Sequence, residues 1–334
     1  MRTALEDIVV ESSEVAHPKP GDIVLDIGCN DGTLLRSYNI PGLNLVGFEP
    51  AKNLVEDARR GTGYIFNDFF GSDLFRKKFP GSKAKIITTI AMFYDLDDPD
   101  SFVADIVDVL DARGIWVIQQ NYLSSMLEQN GFDNIGHEHL TYYSLGTMNR
   151  LLSKHNLEIF QAETNDVNGG SFRTFIAKKG EFQVRKSVME MEAQEAILFS
   201  KKPSIYKTFA HNIRKIRSQL HQFIVDQAKG GKTVYVYGAS TRGNTILQYC
   251  KLDHRVIKKA TDANPEKWGR KTPGTEIPIV SKAEARQDSP DYFLILPHHF
   301  LKEIMKEERQ YLESGGKFII PLPEFRIATA NGDR

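Results

Sequence analysis

The sequence predicts an α/β protein made of two doubly wound units, each with a mainly parallel sheet covered by helices. Strand-like apolar segments alternate with amphipathic helical segments twice along the chain, which is the pattern of such sheets. Each series also opens with a strand that runs into a glycine-containing turn. The length of 334 residues agrees, since a domain takes roughly 150 residues. We therefore expect two hydrophobic cores.

The first series of predicted strands lies in the N-terminal half. Amphipathic stretches such as NLVEDARR separate these strands, as expected for a sheet covered by helices. Around residues 157–179, two further strands joined by a polar Gly-Gly turn are expected at the edge of the same sheet. The four main strands are DIVLDIG (22–28), LNLVGFE (43–49), KIITTIAMF (85–93) and GIWVIQQ (114–120).

A helical segment at about 186–228 is expected to join the two units, because apolar residues recur in it at three- and four-residue spacing. These residues are Tyr206, Phe209, Ile213, Ile216, Leu220 and Phe223. The strands of the second series are KTVYVYGAS (232–240), RVIKKATDAN (255–264), DYFLILP (291–297) and GKFIIPLP (316–323). The predicted organisation is a first domain over 1–180, a helical connector over 181–230 and a Rossmann-like second domain over 231–334.

Charge and hydropathy narrow the class of partner. Lys+Arg and Asp+Glu are 43 each, and no long run of one sign offers a surface for nucleic acid or an anionic membrane. No apolar run approaches the length of a membrane span, and the N-terminus is too acidic for a signal peptide. We expect a cytoplasmic monomer or small homo-oligomer with a small-molecule partner. Cys29 and Cys250, one in each half, argue against a disulfide framework or a Cys-rich zinc cluster.

The first glycine turn lies in VLDIGCNDGTLL, where Gly28 precedes a predicted helix. Glu49 ends the next strand, where a carboxylate can accept both hydroxyls of a ribose. Asn30 stands where a dinucleotide fingerprint requires glycine, and Asp31 would repel a pyrophosphate. The turn therefore favours S-adenosylmethionine over NAD, with Asp26 facing the amino-acid end of the cofactor. A glycine turn that only reverses the chain is the alternative.

Further candidates for the cofactor site follow the later strands. Asp68 and Phe69 are placed to meet the adenine, although a polar strand end followed by an aromatic residue is equally ordinary. Ala91 and Phe93 complete the predicted cofactor contacts.

The stretch IGHEHLTYYS, residues 135–144, allows three interpretations. An extended segment would place His137 and His139 on one face, where they could bind a metal, but no further ligand is nearby. A loop or helix-cap role is the second. Proton transfer is the third and is favoured, because the segment follows a strand of the first domain near the edge where α/β active sites form. Glu138 could then orient or polarise an imidazole.

The second glycine turn lies in VYVYGASTRGNTIL and enters a helix at Gly238. The turn carries the cation Arg242 and no acid, so it suits a diphosphate. The alternative is a structural domain that binds no ligand. His298 and His299 follow DYFLILP and could face the same crevice or cap the next helix. The candidate residues of this site are Ser240, Arg242, Gly243, Asn244, Asp262 and His298.

Six segments in register resemble the nucleotide-sugar C-methyltransferases, the group that includes tetronitrose and mycarose C-methyltransferases. They are DIGCNDGTLL, HEHLTYYSL, NGGSFR, VYGASTRGNTIL, NPEKWGRKTPGTEIPI and GGKFIIPLPE, and they cover nearly the whole chain. The resemblance implies a class I methyltransferase domain that converts S-adenosylmethionine to S-adenosylhomocysteine, and a C-terminal domain that holds a nucleotide-linked keto-sugar. It also implies that the second His of H-E-H, here His139, is the base.

On this resemblance, the expected reaction is methylation of the carbon α to the ketone of a deoxy-keto-sugar. The catalytic candidates are His139, Glu138, His137 and Tyr143, and Tyr142 and Asn168 are further substrate contacts. Two departures from the family stand out: the usual N-terminal zinc module does not precede the first domain, so no zinc is expected, and Gly136 replaces an aromatic residue. The competing interpretations are an O- or N-methyltransferase and a truncated cofactor-binding module without turnover.

Overall fold

The computed structural model describes residues 2–200 and 203–333, which form two compact units. Unit 1 contains the chain up to Leu123 and residues 140–198, and unit 2 contains residues 124–139 and the chain from Phe199 onwards. The H-E-H segment thus belongs to unit 2, although it lies between two segments of unit 1 in sequence. The predicted connector, 181–230, is also divided between the units.

Unit 1 is built on a seven-stranded sheet in the order β3-β2-β1-β4-β5-β7-β6. The first five strands are parallel, and β7 and β6 are antiparallel at the edge. The four predicted strands and the predicted edge pair are therefore confirmed. Its strands are β1 Ile23–Ile27, β2 Asn44–Phe48, β3 Tyr64–Phe66, β4 Ala84–Ile90, β5 Leu110–Asn121, β6 Leu157–Asn165 and β7 Ser171–Lys178.

Unit 2 repeats this plan with a sheet in the order β10-β9-β8-β11-β12-β13-β14. Its first five strands are parallel and its last two antiparallel. Among the five parallel strands of each sheet, the first in sequence is central, the second and third lie on one side of it, and the fourth and fifth lie on the other. Its strands are β8 Val234–Tyr237, β9 Lys259–Thr261, β10 Ile279–Val280, β11 Tyr292–Ile295, β12 Lys317–Ile320, β13 Arg326–Thr329 and β14 Gly332–Asp333.

Thirteen α-helices occur in the described ranges, and each of them is too short or too polar to cross a bilayer. The helical segment expected at 186–228 is two helices, and the second begins immediately after Pro203. The helices are α1 Arg2–Ala16, α2 Thr33–Arg36, α3 Lys52–Arg59, α4 Ser72–Lys78, α5 Pro99–Val109, α6 Leu123–Glu128, α7 Leu145–Ser153, α8 Lys186–Ser200, α9 Ser204–Lys229, α10 Thr241–Tyr249, α11 Lys282–Asp288, α12 Leu301–Glu307 and α13 Arg309–Glu313.

The central strand of each sheet is buried on both faces, as expected where helices cover a parallel sheet. In β1, Leu25 packs into one apolar layer of unit 1, and its neighbour Val24 packs into the other. The apolar stripe of α9 is buried at Phe209, Ile216 and Leu220, whereas Tyr206 is exposed. The sheets place the carboxyl ends of their parallel strands, and hence both glycine turns, at the surface of each core.

Arg173 is the largest buried charge of unit 1, with 2% of its side chain exposed. Its guanidinium lies 2.9 Å from Asp7 and 2.8 Å from Glu11 of α1, and 3.1 Å from Glu163 of β6. Its Nε also donates to Gln119 of β5 at 2.9 Å. One cation therefore ties α1 to the antiparallel edge of the sheet.

We predict that Arg173→Met lowers the free energy of unfolding by about 1 to 3 kcal/mol, because it removes charge-assisted hydrogen bonds of a buried guanidinium to carboxylates that are themselves partly exposed. Urea unfolding followed by circular dichroism measures this loss. Arg59→Met is the matched control, since Arg59 forms only an exposed pair with Glu56 and should change stability by less than about 0.5 kcal/mol. Equal stability of the two variants would contradict the role given to Arg173.

Candidate functional site

The glycine turn of unit 1 is shaped by two adjacent hydrogen bonds to one acceptor. The N–H groups of Gly28 and Cys29 donate to the carbonyl of Phe48, at 2.9 and 3.0 Å. Gly28 has a φ of +73° and Asn30 has a φ of +51°, so the chain folds back over the end of β2. Glycine suits the first of these positions because other residues rarely adopt such a φ.

Glu49 is buried at the end of β2, with 6% exposed, and both of its carboxylate oxygens accept backbone hydrogen bonds. Oε2 accepts from Asn30 N–H at 2.9 Å, and Oε1 accepts from Ala51 N–H at 2.8 Å. The carboxylate is thereby held between the glycine turn and the start of α3. A carboxylate has about four lone-pair positions, so the ribose contact predicted for Glu49 has acceptor capacity left.

Two further carboxylates lie at the same turn in different electrostatic environments. Asp26 is buried and accepts from Thr88 Oγ1 at 2.6 Å; burial and the charge of Glu49 outweigh this bond and raise the pKa of Asp26 to about 7. Burial also opposes the charge of Asp31, but hydrogen bonds from Thr33 and the charge of Arg36 lower the pKa of Asp31 overall. Asp31 is therefore ionised at neutral pH, and Asp26 titrates near it.

These groups line a cavity of about 530 Å³ in unit 1, which is within the range of small-ligand sites. The carboxylates of Asp26 and Asp31 face it together with the guanidinium-bearing Arg2 of α1. An amino-acid end with an ammonium and a carboxylate, attached to a sulfonium, matches this set of charges. Its lining residues are Arg2, Leu5, Asp26, Gly28, Cys29, Asn30, Asp31, Thr33, Leu34, Ile90, Ala91 and Met92.

The remaining predicted cofactor residues lie in three different environments. Asp68 is exposed and accepts from the N–H of Phe69, whose ring is 75% exposed beyond β3. Ala91 follows β4 with a φ of +55° and lines the cavity. Phe93 is fully buried and packs 5.6 Å from Trp116, so the structure places it in the aromatic core and not in the cavity.

The H-E-H segment forms an exposed turn. His139 N–H donates to the carbonyl of Gly136 at 3.2 Å, and His137 and Glu138 lie exposed between these two residues. The two histidines therefore do not share one face of a strand, as the metal interpretation required. Across residues 2–200 and 203–333, no group of three or more His, Cys, Asp or Glu side chains is arranged to hold a metal ion.

The half-buried ring of His139 has a defined orientation. Its Nδ1 lies 2.7 Å from the carbonyl oxygen of Asn134. Because a carbonyl only accepts, Nδ1 carries the proton of this hydrogen bond, and Nε2 carries the lone pair of the neutral ring. This arrangement fits a general base that acts through Nε2.

The 3₁₀ turn Phe132–Asn134, which supplies that carbonyl, is fixed by an ion pair within unit 2. Asp133 has 1% of its side chain exposed, and its Oδ2 accepts from Arg242 at 2.6 and 2.9 Å and lies 3.3 Å from His298 Nε2. Burial opposes the charge of Asp133, but His298 and Arg242 lower its pKa overall. Asp133 was not among the predicted site residues, because a single Asp in FDN matches no motif.

This pairing changes the role of Arg242, whose charge was expected to face a diphosphate. Its guanidinium is engaged by Asp133, so the cation neutralises a buried acid of its own unit. The neighbouring His299 is largely buried, and this burial with the nearby charge of Arg242 lowers the pKa of His299 to about 4. His299 is therefore neutral at pH 7.

The glycine turn of unit 2 repeats the hydrogen bonds of the first. The N–H groups of Gly238 and Ala239 both donate to the carbonyl of Thr261, at 3.0 Å each. Gly238 has a φ of +87°, and a Cβ at this position would lie 2.8 Å from Pro297. Ser240 caps α10 by accepting from the N–H of Gly243 at 3.1 Å. The turn therefore has the form of a ligand-binding loop at a helix N-terminus.

Asp262 corresponds to Glu49 of the first unit. Its Oδ1 accepts from the N–H of Asn264, two residues later, at 2.9 Å, as Glu49 does from Ala51. Its Oδ2 accepts from Lys267 Nζ at 2.8 Å, and the same ammonium donates to the carbonyl of Ala239. Lys267, which was not among the predicted site residues, therefore lies at the second glycine turn.

The other predicted substrate and catalytic residues lie in unit 1 or on α10. Tyr143 is 3% exposed, packs 5.3 Å from Phe93, and has its pKa raised by burial, so it belongs to the core and not to a proton-transfer site. Tyr142 and Asn168 are half-buried, and Asn168 lies at a φ of +53° in the turn before β7. Asn244 is half-buried in the first turn of α10.

Comparison with known proteins assigns the family. The chain is 33% identical over 315 residues to the C-methyltransferase NovU of Streptomyces niveus, covering 93% of this chain and 74% of that protein. Residues 166–323 match the family described as C-methyltransferase C-terminal domain, and residues 1–162 match that described as methyltransferase domain. The chain belongs to the C-methyltransferase family. It is an S-adenosylmethionine-dependent enzyme that methylates carbon, so the O- and N-methyltransferase interpretations are not supported.

Solved structures resemble about half of the chain. The plantazolicin methyltransferase BpumL in complex with S-adenosylhomocysteine is 14% identical, with a TM-score of 0.42 over 53% of this chain and 83% of that one. An S-adenosylmethionine-dependent methyltransferase from Clostridium acetobutylicum is 12% identical, with a TM-score of 0.43 over 54% and 93%.

We predict that the affinity for S-adenosylhomocysteine rises with pH up to about 7 and is level above it. Below its pKa of about 7, Asp26 is protonated in the folded protein, and the neutral acid cannot pair with the ammonium of the ligand. The affinity should fall about tenfold per pH unit below that value. Calorimetry from pH 5.5 to 8.5 measures this, and Asp26→Asn should bind weakly with no such dependence. A wild-type affinity that is constant over this range would contradict the contact.

We also predict that the purified chain binds no structural zinc, because Cys29 and Cys250 are both buried and lie in different units. Elemental analysis after gel filtration should give well below one zinc per chain. One equivalent of zinc that disappears in His137→Ala would restore the metal interpretation of the H-E-H segment.

Proposed function

We propose that the enzyme methylates the carbon α to the ketone of a nucleotide-linked deoxy-keto-sugar, with His139 as the general base. The observation that carries this proposal is the hydrogen bond between His139 Nδ1 and the carbonyl of Asn134, which leaves the lone pair of the neutral ring on Nε2. The base needs this form at the start of each cycle. The resemblance of the H-E-H segment to the same segment of nucleotide-sugar C-methyltransferases also supports the assignment.

A nucleotide-linked substrate is supported by the second glycine turn. This turn repeats the carbonyl acceptor, the positive φ and the strand-end acid of the cofactor turn, at Thr261, Gly238 and Asp262. It differs in its charge, because no acid equivalent to Asp31 follows the glycine and Lys267, which pairs with Asp262, keeps one of its three N–H donors for a further acceptor. A diphosphate is the ligand that such a cationic helix N-terminus favours.

In the proposed reaction, His139 Nε2 removes the proton from the carbon beside the ketone, and the electron pair of that C–H bond forms an enolate. Bound S-adenosylmethionine supplies an electrophilic methyl group on a positively charged sulfur. That methyl group would pass to the enolate carbon, and the electron pair of its bond to sulfur would stay with sulfur. The proton on His139 then leaves to solvent, which restores the neutral ring. Glu138, on the same turn, is assigned to orient or polarise the site, and His137 to the substrate pocket or the local structure.

Asp133 has a supporting part in this proposal. It holds the turn that carries the Asn134 carbonyl, and it does so through Arg242 in the first turn of α10. The base and the helix that would receive the diphosphate are thus connected by one buried ion pair. Arg242 acts in this account by positioning the turn and not by binding phosphate.

We predict that His139→Asn keeps the affinity for S-adenosylhomocysteine and lowers turnover by about 100-fold or more, as expected for loss of a general base. The direct measurement is exchange of the α-carbon hydrogen with deuterated solvent, on a thymidine diphosphate-linked 4-keto-6-deoxy sugar without cofactor. The wild type should catalyse this exchange, and His139→Asn should not.

The matched control is His254→Asn, because His254 is an exposed histidine of the same unit outside these sites. It should exchange at the wild-type rate. Exchange that persists in His139→Asn would assign the base to another residue, and His298 would be the next to test.

A further inference from the structure

Trp268 is the most exposed tryptophan of the chain and follows the strand-end acid of unit 2. It is 44% exposed, whereas Trp116 in unit 1 is fully buried. It lies in NPEKWGRKTPGTEIPI, a segment from which the proposed function uses only Lys267. Single exposed apolar residues are common on proteins, so exposure alone does not give Trp268 a function, whereas a fixed orientation beside the glycine turn does.

The indole is fixed against the backbone at the end of β9. The indole Nε1 donates to the carbonyl of Asp262 at 2.9 Å, and the backbone N–H of Trp268 donates to the carbonyl of Pro265 at 3.1 Å. Asn264 caps the short turn Pro265–Lys267 that precedes it, accepting from the N–H of Glu266 at 3.0 Å. The ring is therefore a rigid, exposed surface directly beside Asp262.

The residue before it contacts the glycine turn. Lys267 Nζ donates to the carbonyl of Ala239 at 3.0 Å and to Asp262 Oδ2 at 2.8 Å. Along this edge of the sheet, the glycine turn is therefore followed directly by the ammonium of Lys267, the carboxylate of Asp262 and the indole of Trp268. A nucleoside diphosphate has the same order of parts, because its ribose separates the phosphates from the base.

The geometry points to Trp268 as the stacking surface for the base of the nucleotide, with Asp262 at the ribose and Lys267 at the diphosphate. This inference rests on the proposed nucleotide-linked substrate and adds the residue that holds its base. An aromatic face binds any base through stacking, and such contacts change affinity by about 5- to 100-fold on removal of the ring. Trp268 would thus contribute affinity for the nucleotide without selecting strongly among bases.

Intrinsic tryptophan fluorescence tests this inference, because the chain has two tryptophans and one of them is buried in the other unit. The probes are thymidine diphosphate and uridine diphosphate, with inorganic pyrophosphate as the probe that lacks a base. Both nucleotides should quench the wild-type signal, and pyrophosphate should not. Trp268→Leu should bind both nucleotides roughly tenfold more weakly by calorimetry and bind pyrophosphate as the wild type does. Trp268→Phe should keep most of the affinity and lose the quenching.

Tyr206→Leu is the matched control, since Tyr206 is similarly exposed, at 40%, on α9 of the same unit. It should leave nucleotide affinity and quenching unchanged. Wild-type nucleotide affinity in Trp268→Leu would overturn the role of Trp268 while leaving the nucleotide-linked substrate in place. If neither nucleotide binds the wild-type protein more tightly than pyrophosphate does, the inference and the proposed substrate class fail together.

Discussion

One backbone carbonyl at the end of the second strand determines the geometry of each glycine turn. In unit 1 the carbonyl of Phe48 accepts two successive N–H groups, and in unit 2 that of Thr261 does the same. Two adjacent donors can reach one acceptor only if the chain reverses sharply, which requires the positive φ of Gly28 and Gly238. The first strand, the turn and the following acid are therefore held in one arrangement twice in the same chain.

The two turns differ in charge, and this difference is the basis for proposing different ligands for them. At the cofactor turn, Asp26 and Asp31 line one cavity, Glu49 accepts from the N–H of Asn30 in the same turn, and burial leaves Asp26 titrating near neutral pH. At the second turn, Lys267 donates to the carbonyl of Ala239, and Arg242 in the following helix is paired with Asp133. The same backbone frame can thus favour a cationic cofactor in one unit and an anionic diphosphate in the other.

Periodicity and glycine spacing predicted the four main strands of each unit, the edge pair of unit 1 and both glycine turns, because these features are local in sequence. The strands β3, β10, β13 and β14 were not predicted, and none of them is longer than four residues, which gives little alternation to detect. Phe93 was selected at the end of a predicted strand and Tyr143 within the H-E-H stretch, but both rings are buried and pack in one aromatic core. Proximity to a strand end does not tell which way a ring points.

The assignment of the H-E-H segment to unit 2 is a further feature that local patterns could not predict. It depends on the pairing of Asp133 with Arg242, residues 109 positions apart, and on the packing of Phe132 against Tyr249. That pairing fixes the turn that orients His139, and His139 is the last residue of unit 2 before the chain returns to unit 1 at Leu140. A base in this position is oriented by the unit with the second glycine turn. The proposed reaction therefore assigns the nucleotide and the base to one unit, and the methyl donor to the other.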